Sequence, residues 1–312
     1  MTTPVGAFDL QGHRGARGLA PENTLPAFAR ALSIGVTTLE LDTGITEDGI
    51  VVIAHDRRLN PDIARGSDGR WLASQPHAIH DLTFHELQRY DVGRIRPGSD
   101  YSKRFPYQSR MDNLRIPRLQ DLFELVRHAR NSEVRFNIET KLSPLEPNDT
   151  VGPDVFGRAL IKVVRENGMA HRTVIQSFDW RTLAIVQKEA PEIATSFLTE
   201  QQQSNDTIGA GSDTPSPWTG LRFRDYGSVP KMIKAAGGTI WSPNFRDLTE
   251  PLVKEARGLG LKVLPWTVNE RADMERLIDW GADGLITDYP DRLREAMAAK
   301  GLALPTPTPV TP

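Results

Sequence analysis

Eight short apolar runs, alternating with segments of helical periodicity, constrain this 312-residue chain more than any other feature of its sequence. The runs are Ala7–Gly12, Thr37–Asp42, Val134–Glu139, Thr173–Ser177, Ile193–Leu198, Gly238–Ser242, Lys262–Trp266 and Gly284–Thr287. Between them apolar residues recur at spacings of three and four, first at Leu25, Phe28, Ala29 and Leu32. The pattern returns over Leu119–Arg130, Phe156–Asn167, Trp180–Ala190, Val229–Ala236, Leu248–Leu259, Arg271–Trp280 and Asp291–Lys300. Such alternation requires a parallel sheet covered by helices. Eight repeats match a (β/α)8 TIM barrel. A doubly wound open sheet usually has fewer repeats and opens on a G-x-G-x-x-G turn, which Gly12-His13-Arg14-Gly15 is not. Length alone would suggest about two domains, but one α/β barrel routinely reaches this size. A single barrel over residues 7–300 is therefore expected.

Two stretches break the alternation. Residues 56–117 are polar and proline-bearing, and read as a subdomain inserted after the second barrel strand, with one helix over Thr83–Tyr90. Thr199–Arg224, with Gln201-Gln202-Gln203, Pro215 and Pro217, reads as a flexible loop. Both follow strands, where barrel active sites are built. Residues 301–312, in which proline alternates with mostly small polar residues from Pro305 onward, read as a disordered tail.

Composition excludes some classes of function. With 38 Lys+Arg against 40 Asp+Glu, the chain lacks the basic surplus of a nucleic-acid binder that tracks phosphates. No apolar run approaches the roughly 20 residues of a membrane span. The absence of cysteine removes disulfides, thiolate metal sites and a cysteine nucleophile. Met1–Gln11 has neither the basic start nor the apolar core of a signal peptide, so a cytoplasmic protein is expected, with the mature form of an exported protein as the alternative. The oligomeric state is not legible.

The chemistry collects at strand ends. Glu40 and Asp42, two apart on one strand, share a face, and Asn137, Glu139 and Lys141 repeat that spacing on the next. Three carboxylates converging on one mouth would form an oxygen-rich site for a hard divalent cation, Mg²⁺ or Ca²⁺. The competing reading makes them the polar half of ordinary strands, with Lys141 pairing a carboxylate. Of the seven histidines, His13 and His55 stand apart because each ends a strand-like run beside a charged residue. Two imidazoles near a cation suit acid–base work on a phosphate ester. Arg14 and Lys141 offer the local positive charge that phosphate needs. Phe178 and Trp266, at strand ends, could flank a bound substrate or pack in the core.

In order along the chain, His13-Arg14-Gly15, Pro21-Glu22-Asn23-Thr24, Glu40-x-Asp42, Thr46-x-Asp48-Gly49 and His55-Asp56 make a specific block. With Asn137-x-Glu139-x-Lys141, Ser177-Phe178, Trp266-Thr267-Val268-Asn269 and Gly281-Ala282-Asp283-Gly284, the chain resembles the glycerophosphodiester phosphodiesterase family over about residues 8–300. The resemblance implies a TIM barrel of glycerol and lipid metabolism that hydrolyses glycerophosphodiesters to glycerol 3-phosphate and an alcohol with a divalent cation. It implies that Glu40, Asp42 and Glu139 are metal ligands, that His13 and His55 are the general acid/base pair, and that Arg14 and Lys141 contact phosphate. The family route it implies has the substrate's own glycerol hydroxyl attack phosphorus, and water then open the cyclic phosphate. Asn23 and Asn269 could contact the site or cap helices, and Asp288 reads as a starter of the last helix. The alternatives are a related barrel phospholipase acting on lysophospholipids or sphingomyelin, and a non-catalytic phosphodiester-binding barrel. The segment after Asp56 resembles longer bacterial members.

Overall fold

The apolar runs are strands and the periodic segments between them are helices. The structure, a computed structural model, describes residues 8–73 and 76–312, so residue 7, where the first run and the barrel were expected to start, lies outside the described residues. The strands are β1 (Asp9–Gly12), β2 (Thr38–Ile45), β3 (Val51–Ile53), β4 (Arg135–Thr140), β5 (Thr173–Ser177), β6 (Ala194–Thr199), β7 (Gln201–Gln202), β8 (Asn205–Asp206), β9 (Ile240–Pro243), β10 (Lys262–Val263) and β11 (Gly284–Thr287). The helices are α1 (Leu25–Ile34), α2 (Phe84–Leu87), α3 (Asp100–Arg104), α4 (Leu119–His128), α5 (Pro153–Glu166), α6 (Trp180–Glu189), α7 (Val229–Ala235), α8 (Glu250–Gly258), α9 (Arg271–Asp279) and α10 (Pro290–Ala299).

Eight parallel strands run in the order β10-β9-β6-β5-β4-β2-β1-β11. The circle nearly closes where Asp283 N donates to Val263 O (3.0 Å), Ile286 N to Pro265 O (3.0 Å) and Val268 N to Ile286 O (2.9 Å). The fold is the expected (β/α)8 barrel. β10 is shorter than its apolar run because Pro265 has no amide to give the ladder.

Alternation along each strand sorts side chains between two environments. Leu39 and Leu41 of β2 pack outward in the main core with Phe28 and Leu32 of α1 and Phe123 of α4. Glu40 and Asp42 point the other way. The interior is polar near the mouth: Asn137 Nδ2 donates to Gln11 Oε1 (2.8 Å) and Gln176 Oε1 (3.0 Å). Since β2 lies between β1 and β4, the Gln11–Asn137 bond crosses the barrel interior.

Four departures from expectation concern the connections and the tail. The turn after β2 is a hairpin: β3 pairs antiparallel with β2, Thr43 opposite Ile53, and delivers His55 to the mouth. The segment that follows builds a second apolar cluster, with Leu59, Ala64, Leu82, Leu87 and Ile116 buried against Val52. Only Phe84–Leu87 of the expected Thr83–Tyr90 helix forms, opened by a capping box between Thr83 and Glu86. The 199–224 connection, expected to be a flexible loop, is tied down by buried Thr207, Ile208 and Ser216, with Ser216 Oγ donating to Thr207 O at 2.6 Å. The 301–312 tail, expected to be disordered, is extended but fastened. Thr308 N donates to Leu32 O (2.8 Å), Asn131 Nδ2 to Thr308 Oγ1 (2.9 Å) and Arg294 Nη1 to Pro305 O (2.6 Å), while Leu302 and Val310 rest on the core. Proline restricts the unfolded chain, so holding an extended segment costs less entropy than its composition suggested.

Candidate active site

The loop after β1 starts the site. A Cβ on Gly12 would meet Gly15 O at 2.1 Å, and Gly15 adopts φ 85°, so this tight turn tolerates glycine at both positions and little else. Arg14, at φ 50°, turns its amide onto Glu40 Oε2 (2.9 Å) and its guanidinium onto Glu22 Oε1 (Nη1, 2.5 Å) and Asp42 Oδ2 (Nε, 3.2 Å). His13 is buried, with Nδ1 2.7 Å from Asp288 Oδ1 and Nε2 3.9 Å from Glu40 Oε2. Burial, with Arg17 and Arg14 nearby, lowers its pKa to about 4 against the opposing pull of Asp288. His55 has the same arrangement, Nδ1 2.8 Å from Asp56 Oδ1, and its side chain keeps 30% exposure. Burial, Arg14 and Lys141 lower it as well. In both rings a carboxylate holds Nδ1, which leaves Nε2 as the nitrogen not engaged by that partner.

Glu40, Asp42 and Glu139 are brought together as expected, with a carboxylate oxygen from each lying within 4.8 Å of the others. Each is supported from outside the trio. Gln176 Nε2 donates to Glu40 Oε1 (2.7 Å), Asn23 Nδ2 to Asp42 Oδ2 (2.9 Å), and Lys141 Nζ lies 2.8 Å from Glu139 Oε1 and 3.2 Å from Asp42 Oδ1. Burial and the neighbouring carboxylates push Glu40 up, and burial pushes Glu139 up to about 7 although Lys141 opposes it. Asp42 stays low because Lys141 and Arg14 outweigh its burial. Three buried carboxylates thus resist sharing full negative charge, a demand that a cation would meet. Asp42 Oδ1 is buried without a hydrogen bond, and Lys141 Nζ lies 3.2 Å from it. The donors are all oxygen, so the trio fits a hard divalent cation.

A cleft of about 760 Å³ opens over these groups and takes in all of the expected site residues except Asp42, which lies beneath it. Phe178 and Trp266 face the cleft rather than the core, 5.5 Å apart and edge to face. Arg14 and Lys141 reach it too, though both are already paired with carboxylates.

Several contributors escaped sequence reasoning. Asp288 starts no helix: 1% exposed, it holds His13, accepts from Arg17 Nε (2.7 Å) and Nη2 (3.0 Å), and takes Asn269 Nδ2 at 2.7 Å. Asn23 and Asn269 are likewise not caps, those places being taken by Thr24 and Glu270. Gln176, two residues before Phe178 on the inward face of β5, was accessible to the same alternation that revealed Glu40 and Asp42. Trp218, 6.2 Å from Phe178, and Tyr101 come from the two irregular segments, where no periodicity marks a side chain's direction.

Fold and site together define a barrel enzyme equipped at its mouth for a phosphate ester. Residues 13–292 match the Glycerophosphoryl diester phosphodiesterase family, and the chain belongs to it, among the phosphoric diester hydrolases. It is 29% identical over 282 residues to a glycerophosphodiester phosphodiesterase of Caldanaerobacter subterraneus, covering 90% of this chain and 94% of that one. A lysophospholipase D of Homo sapiens is 27% identical over 295 residues, covering 91% and 84%. A solved structure from Silicibacter pomeroyi, provisionally named a glycerophosphoryl diester phosphodiesterase, superposes with a TM-score of 0.84 at 34% identity and covers 96% of each chain.

Proposed function

We propose that this protein hydrolyses glycerophosphodiesters to glycerol 3-phosphate and an alcohol, with a divalent cation held by Glu40, Asp42 and Glu139. The observation that carries the reading is the juxtaposition of that carboxylate trio with two imidazoles, each anchored by its own aspartate. Bound at the trio, Mg²⁺ or Ca²⁺ would draw charge from the phosphoryl oxygens. The chain's own residues do the rest. Arg14 and Lys141 present positive charge to the phosphate, and Arg14 does so as a fork suited to two oxygens. One of His13 and His55 takes the proton of the substrate's attacking glycerol hydroxyl and the other gives one to the departing alcohol, and water then opens the resulting cyclic phosphate to glycerol 3-phosphate. The Nδ1 anchors on Asp288 and Asp56 fix both rings and stabilise the imidazolium form when it arises. Phe178 and Trp266 offer apolar faces to the carbon skeleton of the substrate.

A second reading, action on lysophospholipids, is supported by the similarity to the human lysophospholipase D and by an aromatic-walled cleft roomy enough for a longer group. A panel of glycerophosphocholine, glycerophosphoethanolamine and lysophosphatidylcholine, with products identified, tests the two. Release of glycerol 3-phosphate from the water-soluble diesters, at a kcat/KM above that for the lysolipid, is expected. Choline release from lysophosphatidylcholine alone would favour the second reading, and cleavage of none would remove both.

A further inference from the structure

Residues 99–109 reach the site from outside the barrel. Their short helix, α3, has no buried residue, so apolar packing does not explain where it sits. Contacts with the loop that carries His13 and Arg14 do. Tyr101 donates its hydroxyl to Glu22 Oε2, whose other oxygen accepts Arg14 Nη1 at 2.5 Å. The Tyr101 oxygen in turn accepts from Arg17 Nη1 at 3.4 Å. Phe105, buried, lies 4.6 Å from the Arg17 guanidinium, and Gln108 Nε2 and Ser109 N bond to the carbonyls of Arg17 (2.8 Å) and Leu19 (3.0 Å).

We infer that Tyr101 is a positioning residue for Arg14, acting through Glu22. The inference rests on reading Arg14 as a phosphate contact. Glu22 divides its two oxygens between Tyr101 and Arg14, so the tyrosine hydroxyl fixes the plane of the carboxylate and the carboxylate fixes the guanidinium fork. Without the hydroxyl, a buried carboxylate oxygen lacks its donor and the carboxylate can turn. A charge displaced by about 1 Å from the reacting group can lose up to about 10²-fold in rate. The segment after His55 therefore does more than cover the mouth: it sets the geometry of a phosphate-facing cation.

Tyr101→Phe isolates the hydroxyl because it keeps the ring and its edge-to-face contact with Phe105 at 5.2 Å. Two quantities are measured on the full chain: the Kd of inorganic phosphate by calorimetry and kcat/KM on a glycerophosphodiester. Both are expected to worsen about tenfold, as for loss of a hydrogen bond to a charged group, with the melting midpoint lowered by only about 2–6 °C and the fold retained. In an Arg14→Ala background, Tyr101→Phe should bring no further loss in phosphate binding. Glu22→Gln, a second route to the same link, should reproduce the effect, and Tyr107→Ser, on the same segment but 69% exposed, should not. Phosphate binding unchanged by Tyr101→Phe, or reduced equally with and without Arg14, would overturn the inference. Binding indifferent to Arg14→Ala would remove it together with the role given to Arg14. Coupled phosphate binding in a protein that cleaves no glycerophosphodiester would uphold it while sinking the proposed activity.

Discussion

Asp288 is 1% exposed and engages His13, Arg17 and Asn269 at once. Burial alone would raise its pKa, but Arg17 and His13 hold it well below the ordinary range. A depressed carboxyl stabilises the fold fully above its unfolded value, about 3.9, and loses that contribution as pH falls below it. Asp288→Asn should cost about 3–5 kcal/mol at pH 7, because Arg17 stays buried without its partner. The variant's unfolding free energy should also fall less steeply than the wild type's below about pH 4. Urea titrations at several pH values check both, and parallel slopes would contradict the assignment. His13→Ala and His55→Ala should each lower kcat by about 10²-fold or more, as for general acid–base groups. A variant with wild-type kcat would take that ring out of the proposed mechanism.

At the scale of elements, legibility followed periodicity. α4 was visible from its spacing and buries Leu119, Leu122, Phe123, Leu125 and Val126 on one face. Phe123 meets Phe136 of β4 edge to face at 4.8 Å, joining helix to barrel. Phe123→Ala should destabilise the protein by about 3–5 kcal/mol while leaving KM close to wild type, since the contact lies on the outer side of the strands. A chemical-denaturation midpoint that does not move would show that this packing is dispensable. β3 was legible only as a strand-like run ending at His55, because so short a strand carries nothing that marks its antiparallel pairing with β2. Helix starts misled for a related reason. Asn23, Asn269 and Asp288 are residue types that cap helices, and composition cannot tell a cap from a side chain turned onto a carboxylate or an imidazole.

The whole molecule is a barrel whose site draws on widely separated parts of the chain. The carboxylate trio, His13 and His55 could be found in the sequence because they lie on or just after strands, where alternation and position give direction. Of the groups that orient them, Gln176 was open to the same alternation, whereas Asp288 and Tyr101 meet their partners only once the barrel has nearly closed and the segment after His55 has packed against the loop after β1. The tail's attachment was hidden in the same way, being made in part to Leu32 of α1 and to Asn131 just after α4, both remote in sequence. The central claim is that glycerophosphodiester cleavage depends on a divalent cation at Glu40, Asp42 and Glu139. Protein treated with excess EDTA, then dialysed and titrated with Mg²⁺ or Ca²⁺, tests it directly with glycerol 3-phosphate release as the readout. Activity should vanish on chelation and return saturably with added cation in the wild type but not in Asp42→Asn. Full turnover in excess chelator, or cation-restored activity in Asp42→Asn equal to that of the wild type, would contradict it.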